Sequence, residues 1–90
     1  MAGKNQNSGT EVSVSIGTAS KITGVEVHTL RYWEHEFPEF LTPDRTPGGQ
    51  RRYRPADIQA VIVINRLLRE EMYSIAGARK HLRALASRAA

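Results

Sequence analysis

Cysteine is absent from the 90-residue chain, so neither a disulfide framework nor a thiolate metal site can hold the fold together. Long apolar runs are absent too: the longest covers residues 60–64, far short of the roughly 20 residues needed to cross a bilayer. The N-terminal stretch MAGKNQNSGTE lacks the apolar segment of a secretory signal. We therefore expect one small cytoplasmic domain without a membrane partner, preceded by a disordered leader over residues 1–12.

Acidic residues are outnumbered, since 13 Lys and Arg face 9 Asp and Glu and give a net charge of +4. The excess lies in two segments, residues 45–54 and residues 79–88, each with four basic residues and no acid. Two such segments in a small domain indicate a polyanionic partner, although a merely solvated basic surface would have the same composition.

Glycine and proline divide the chain into two helical pairs that flank an irregular basic segment. Apolar residues recur at helical spacing from Ile16 and stop at Gly24, which predicts a first helix over about residues 17–23. A second helix is predicted over about residues 26–37, because the proline at the next position disfavours helical geometry at the residue before it. The short glycine-containing link predicts a helix-turn-helix whose second helix is displayed outward.

The second helix has two different faces when each residue is given a step of about 100°. One face is apolar and aromatic and is predicted to enter the core: Val27, Leu30, Trp33 and Phe37. The other face combines side chains that suit phosphates and base edges rather than simple solubility. It carries His28, Thr29, Arg31, Tyr32, His35 and Glu36.

The segment after Pro38 is rich in turns and arginine, and it predicts a small two-stranded wing. Residues 45–46 and 50–53 can pair around the sequence PGG, which sends Arg52 to one side and Arg51 and Tyr53 to the other. Arginine suits bidentate contact with phosphate. Glu34 lies at the edge of the inward stripe, where we expect a structural ion pair with one of the wing arginines, Arg45, Arg51 or Arg52.

Two further helices are predicted in the last part of the chain. The third begins at Pro55, has Asp57 in its first turn and continues as a broad apolar stripe to about Glu71. Ser74 is the predicted N-cap of the fourth. The inward residues of the fourth helix are expected to be Ile75, Ala78, Leu82 and Leu85.

Three motifs, in this order and spacing, resemble the MerR family of bacterial transcription regulators: IGTASKITGVEVHTLRYWE, GGQRRYRPADI and YSIAGARKHL. The resemblance covers about residues 14–85. It implies a mainly α fold, a winged helix-turn-helix with about four helices and a two-stranded wing, over residues 13–86, followed by a frayed end at residues 87–90. It also implies a DNA-binding domain that is usually joined to a coiled-coil dimerisation helix and an effector domain.

The resemblance implies double-stranded DNA as the partner, with the second helix in the major groove. His28, Thr29, Arg31 and Tyr32 would then contact bases or phosphates. The wing would reach flanking backbone or the minor groove through Arg45, Arg51 and Arg52. Tyr53 would seat the wing on the core.

Three residues depart from the family's pattern. Glu26 stands where Ser or Thr commonly caps the second helix, and Arg54 replaces the usual Ser before the third. Met72 occupies a position often filled by Gly, so a different or strained turn is expected there.

The chain has no heptad pattern after Leu85. We therefore expect a fragment of a longer regulator that is monomeric alone, forms a homodimer in its full-length parent and meets RNA polymerase only indirectly at a promoter. A minimal protein that dimerises differently is the alternative.

Enzymatic classes find no support in the residues, because no catalytic triad and no phosphate-cradling glycine motif is present. We expect no enzyme activity, no cofactor and no metal. Two alternatives to a transcription regulator remain: an excisionase-like recombination accessory, and a protein-interaction module that uses the aromatic helix face.

Overall fold

A computed structural model of the chain describes residues 12–89. The first eleven residues, which make up nearly all of the predicted leader, lie outside the described residues. The predicted mainly α fold with a wing is confirmed: four helices surround one small sheet. The elements are β1 (Val14–Ser15), α1 (Ile16–Thr23), α2 (Val27–Glu36), β2 (Asp44–Arg45), β3 (Arg51–Tyr53), α3 (Pro55–Asn65) and α4 (Ile75–Ala89), with a π-helical segment at Arg66–Glu70.

α1 has a regular cap at each end. The Ser15 hydroxyl accepts a hydrogen bond from the Thr18 backbone N–H at 3.2 Å, so the helix begins one residue earlier than predicted. Gly24 adopts a φ of 76° and donates its N–H to the Ser20 carbonyl at 2.8 Å. A side chain would resist this left-handed backbone, so glycine allows the chain to turn directly into α2.

α2 begins without a side-chain cap, because Glu26 makes no capping hydrogen bond, as its departure from the family pattern predicts. The predicted apolar stripe is confirmed at Leu30, Trp33 and Phe37, which are buried, while Val27 is only half-buried. Helical geometry stops at Phe37, directly before the proline. The apolar face of α2 therefore enters the core, as expected.

The sheet has three antiparallel strands in the order β1-β3-β2: β2 and β3 form the predicted two-stranded wing, and β1 is an additional strand that was not predicted. Val14 pairs with Tyr53, and Arg45 pairs with Arg51. β1 is two residues long, too short to show the alternation that identifies a strand in a sequence. Its partner lies far along the chain, and the prediction missed it for that reason.

α3 begins at Pro55, as predicted, and its cap comes from within the helix. The buried Asp57 carboxylate accepts the Arg54 backbone N–H at 2.9 Å and the Arg54 Nε–H at 3.1 Å. Asp57 thus accepts the backbone N–H of the N-cap residue, as the residue three positions after a Ser or Thr cap does in a capping box. The carboxylate also lies near the positive end of the helix, which stabilises its charge.

The predicted apolar helix runs to Glu70, close to its expected end, but α-helical geometry ends at Asn65 and the last five residues form a π-helical segment that was not predicted. There the Glu71 N–H donates to the Arg66 carbonyl at 3.0 Å, a span of five residues. Met72 follows with a φ of 60° and a side chain that is 80% exposed. The expected strained turn at Met72 is confirmed, and it leads into α4.

α4 is capped by Ser74, whose hydroxyl accepts the Gly77 N–H at 3.0 Å, as predicted. Ala78 is fully buried, but Leu85 is 40% exposed, so its assignment to the inward stripe was wrong. The helix includes residues 87–89. The domain limits of residues 13–86 and the fraying of residues 87–90 stay predictions, and Ala90 lies outside the described residues.

The core lies where α1, α2, α3 and the central strand meet. None of the helices in residues 12–89 is long and apolar enough to cross a membrane. The buried apolar residues are Ala19, Val25, Leu30, Trp33, Phe37, Leu41, Tyr53, Val61, Ile64, Leu67 and Ala78.

Candidate nucleic-acid interface

The outer face of α2 is open to solvent at the positions where the sequence predicts contacts. His28, Arg31 and His35 are exposed, and Tyr32 is 52% exposed. Thr29 is half-buried and lies at the edge of this face. The four exposed side chains project from the side of the helix opposite Leu30 and Trp33, which the core covers.

His28 has one close acidic neighbour, since its Nε2 lies 3.4 Å from a carboxylate oxygen of Glu26. Both side chains are largely exposed, so even with a protonated imidazole the pair contributes little to stability. Glu26 is the negative charge that the sequence places at the start of α2. It lies beside the predicted contact surface and lowers the positive potential at this end of the helix.

The wing is held against α2 by the Glu34 carboxylate. Arg51 Nε donates to both carboxylate oxygens, at 2.8 and 2.9 Å, and Arg45 lies farther away at 3.9 Å. The Tyr53 hydroxyl donates to Glu34 Oε2 at 2.6 Å. The predicted ion pair between Glu34 and a wing arginine is therefore confirmed, and a tyrosine that the prediction had not paired with Glu34 completes it.

Tyr53 is fully buried, and this sets its protonation. Burial raises the pKa of the Tyr53 phenol well above its ordinary value, and the hydrogen bond to Glu34 raises it further. The phenol therefore keeps its proton and remains a donor to the carboxylate. This arrangement fixes one side of β3 to α2.

Arg52 points to the other side of β3, as strand alternation predicts. Its Nη2 donates to the Ser13 carbonyl at 2.7 Å and its Nε donates to the Ser13 hydroxyl at 3.3 Å. Arg52 is half-buried in this position. The structure thus separates Arg52 from Arg51, although the two are neighbours in the sequence and were predicted to act together.

A concavity of about 330 Å³ lies where the start of α1, the outer face of α2 and the tip of the wing meet. Arg31 and Arg51 both line it, so the structure brings together a predicted contact from α2 and one from the wing. We call it the α2–wing concavity, and the residues that line it are Ser15, Ile16, Arg31, Gly49, Gln50 and Arg51.

Four of these lining residues were not singled out as contacts from the sequence. Ser15 is the N-cap of α1, and a Ser before a run of apolar-spaced residues is the signal that would have identified it. Gln50 and Gly49 lie at the turn of the wing, where Gly49 has a φ of 86°. No sequence signal distinguishes these turn residues from ordinary solvated loop residues.

In the second basic segment, residues 79–88, two of the four basic side chains are paired within the domain. Arg79 donates from Nε to the Glu36 carbonyl at 3.1 Å and from Nη2 to the Glu36 carboxylate at 3.4 Å. Arg83 donates to Glu39 at 2.9 Å. These arginines attach α4 to the end of α2 and the turn after it, so they add little to a surface for a polyanion.

Residues 12–89 contain no group of three or more His, Cys, Asp or Glu side chains placed to hold a metal ion. The chemistry that the interface offers is therefore that of guanidinium, imidazole, phenol and backbone N–H groups. These groups donate hydrogen bonds to phosphate oxygens and to the acceptors on base edges.

Comparison with known proteins supports the resemblance to the MerR family. Residues 14–85 match the pattern of the MerR HTH family regulatory proteins. Over 60 residues, 67% of the chain, the sequence is 37% identical to the HTH-type transcriptional repressor CarH of Myxococcus xanthus, of which the match covers 20%. Over 51 residues, 57% of the chain, it is 35% identical to the HTH-type transcriptional regulator TnrA of Bacillus subtilis (strain 168), of which the match covers 44%. The chain thus matches less than half the length of either relative.

Proposed function

Because the chain belongs to the MerR HTH family of regulatory proteins, we propose that it binds double-stranded DNA sequence-specifically as the DNA-binding domain of a transcription regulator. In this proposal α2 enters the major groove and the wing lies on flanking backbone or the minor groove. The two relatives are named as an HTH-type transcriptional repressor and an HTH-type transcriptional regulator, which supports a role in DNA-binding regulation.

One observation carries the proposal, namely that Arg31 of α2 and Arg51 of the wing line the same concavity. Two guanidinium groups on one side of a small domain suit a phosphate backbone, because each supplies several N–H donors in a fixed plane. The exposed His28 and Tyr32 lie on the same helix face as Arg31. A single docking of this side onto a duplex would therefore engage both the helix and the wing.

The proposed roles follow from where each side chain lies. Arg31 and Tyr32, which are exposed at the centre of α2, read base edges. His28 and the half-buried Thr29 contact bases or phosphates nearer the start of the helix. Arg45 and Arg51 bind phosphates, whereas Arg52 must first release Ser13 before it can contribute.

The remaining partners belong to the same proposal. A homodimer forms in a longer parent protein, this chain alone is monomeric, and RNA polymerase is met only indirectly at a promoter. The chain acts in the cytoplasm, where bacterial DNA lies, and it has no enzyme activity.

The experiment is a selection of bound duplexes from a random pool, carried out with the chain and with an artificially dimerised form. We expect a half-site from the single chain and an inverted repeat from the dimerised form. The affinity for the selected duplex is then measured at two salt concentrations, and it should fall steeply with salt because phosphate binding releases counterions. A protein-interaction module would select no sequence at all, and an excisionase-like accessory would assemble cooperatively on repeated sites.

A further inference from the structure

We infer that Glu34 is a positioning residue that holds Arg51 by the Nε edge of its guanidinium, so that the Nη edge is presented to a DNA phosphate. The inference rests on the proposed function and identifies a residue that orients one of its DNA contacts. It assigns to Glu34 a role in specificity although its own charge repels DNA.

The contact between Glu34 and Arg51 is one-sided. Both carboxylate oxygens accept from the same donor, Arg51 Nε, at 2.8 and 2.9 Å. Within residues 12–89, no hydrogen bond from the Nη groups of Arg51 is found. By contrast, the Nη2 groups of Arg52 and Arg79 donate to Ser13 and Glu36.

The surroundings fix the carboxylate firmly. The Glu34 side chain is 11% exposed and the Arg51 side chain is 22% exposed. The buried Tyr53 hydroxyl donates to Glu34 Oε2 at 2.6 Å. Because helix α2 and strand β3 each supply part of this cluster, the guanidinium plane of Arg51 is held in one orientation at the α2–wing concavity.

This orientation depends on the shape of the arginine side chain. A guanidinium can bind a carboxylate at one edge and a phosphate at another, since it has five N–H donors in one plane. A lysine ammonium has its three donors on one nitrogen, so it cannot bind Glu34 at one edge and present a separate planar edge to DNA. The pairing therefore serves orientation, and the charge of Glu34 limits non-specific attraction to any phosphate backbone.

The first test compares Arg51→Lys with Arg83→Lys, two replacements that keep the positive charge. Arg83 also donates its Nε–H to a carboxylate, that of Glu39 at 2.9 Å, but it lies on α4 outside the proposed contact surface, so its lysine variant is the matched control. On the selected duplex we expect Arg51→Lys to weaken binding by about tenfold and Arg83→Lys by less than about twofold. Equal small losses for the two variants overturn the inference.

The second test compares Glu34→Gln with Glu36→Gln, which remove the same charge from the same helix. Glu36 pairs with Arg79 of α4 and does not touch the wing. Both variants should bind random duplex somewhat more tightly, because each removes one negative charge and so raises the net charge of the domain by one. Only Glu34→Gln should lower the ratio of specific to non-specific affinity, by roughly tenfold; an unchanged ratio overturns the inference.

A readout without DNA separates the positioning from the binding. In the wild type the Arg51 Nε–H should give a protected signal by nuclear magnetic resonance, and this signal should be lost in Glu34→Gln while the thermal unfolding of that variant stays cooperative. Its absence in the folded wild type contradicts the inference. If the wild type selects no duplex, the proposed function fails and this inference with it, whereas selection combined with an unaffected Arg51→Lys variant contradicts the inference alone.

Discussion

Residues 45–54 and residues 79–88 have the same basic content in the sequence and different surroundings in the structure. The first segment lies beside the exposed face of α2, and its Arg51 lines the α2–wing concavity. In the second, Arg79 and Arg83 are paired with Glu36 and Glu39. Charge counted along a chain detects only neighbouring acids, and the acids that pair with the second segment lie 43 and 44 residues away.

Two acids of α2 form ion pairs with the two segments. Glu34 binds the wing, whereas Glu36, two positions later, binds α4. Residues two apart on an α-helix point in nearly opposite directions. One helix therefore directs one arginine-rich segment toward the proposed DNA surface and attaches the other to the far side.

The largest expected effect tests whether the two sides of the domain differ in DNA binding. Arg31→Ala should weaken binding to the selected duplex by about 1 to 3 kcal/mol, because a base or phosphate contact at the centre of α2 is lost. Lys80→Ala, which removes an exposed basic residue of α4, is the control and should change binding far less. The measurement is a duplex titration at fixed salt. Equal losses for the two variants would mean that the two sides of the domain do not differ in DNA binding, and an equal loss of Arg31→Ala on all sequences would show that Arg31 does not read bases.

The next effect concerns pH and tests how the wing is attached to α2. Since the pKa of Tyr53 is raised in the folded state, its contribution to stability is fully present below the ordinary phenol pKa of about 10 and is lost as pH rises above it. The decline from this one group is at most about 1.4 kcal/mol per pH unit. Urea unfolding between pH 9 and pH 11 should show it in the wild type, and Tyr53→Phe should reduce it.

Tyr32→Phe is the control for that measurement. The Tyr32 side chain is exposed and is not tied to Glu34, so its removal should leave the decline as it is in the wild type. A decline that is equally steep in Tyr53→Phe would contradict the assignment to Tyr53.

A smaller effect is expected from the attachment of α4. Arg79→Ala should lower the free energy of unfolding by about 1 kcal/mol, because a partly buried charge-assisted pair and a bond to a backbone carbonyl are lost. Arg83→Ala, at a more exposed pair, should lower it by less than about 0.5 kcal/mol. Neither should alter DNA affinity measured below the unfolding temperature. A loss of affinity for Arg79→Ala in a fully folded sample would mean that the second segment also faces DNA.

The smallest effect distinguishes the two faces of β3. Because Arg52 is engaged by Ser13, Arg52→Ala should change the salt dependence of DNA binding by less than one phosphate contact, while Arg51→Ala should remove about one. The measurement is the slope of affinity against salt concentration on a common duplex. A larger change for Arg52→Ala would show that it leaves Ser13 in the complex.

Local patterns predicted a large part of this architecture. The two faces of α2, the N-cap at Ser74, the start of α3 at Pro55 and the pairing of Glu34 with the wing all follow from spacing within one element or from the shape of a hairpin. Such features depend on a few consecutive residues, whose periodicity the sequence displays directly.

The features that were missed depend on contacts between distant residues or on very short elements. β1 has two residues and gains its structure only by pairing with Tyr53 and Arg52. The π-helical segment has five residues, and the apolar stripe through it does not distinguish a π turn from an α turn over so short a length. Leu85 is exposed because α4 passes beyond the core there, which depends on how the helices pack rather than on their sequence.

The corner at Met72 has an energetic consequence of its own. A left-handed backbone at a residue with a β-carbon costs about 1 to 2 kcal/mol, and the exposed Met72 side chain returns little of this by packing. The direction of α4 is therefore maintained by what lies on either side of the corner, Leu67 before it and Ala78 after it, both buried. The left-handed corner at Met72 is thus maintained by packing outside it, and not by contacts of the Met72 side chain itself.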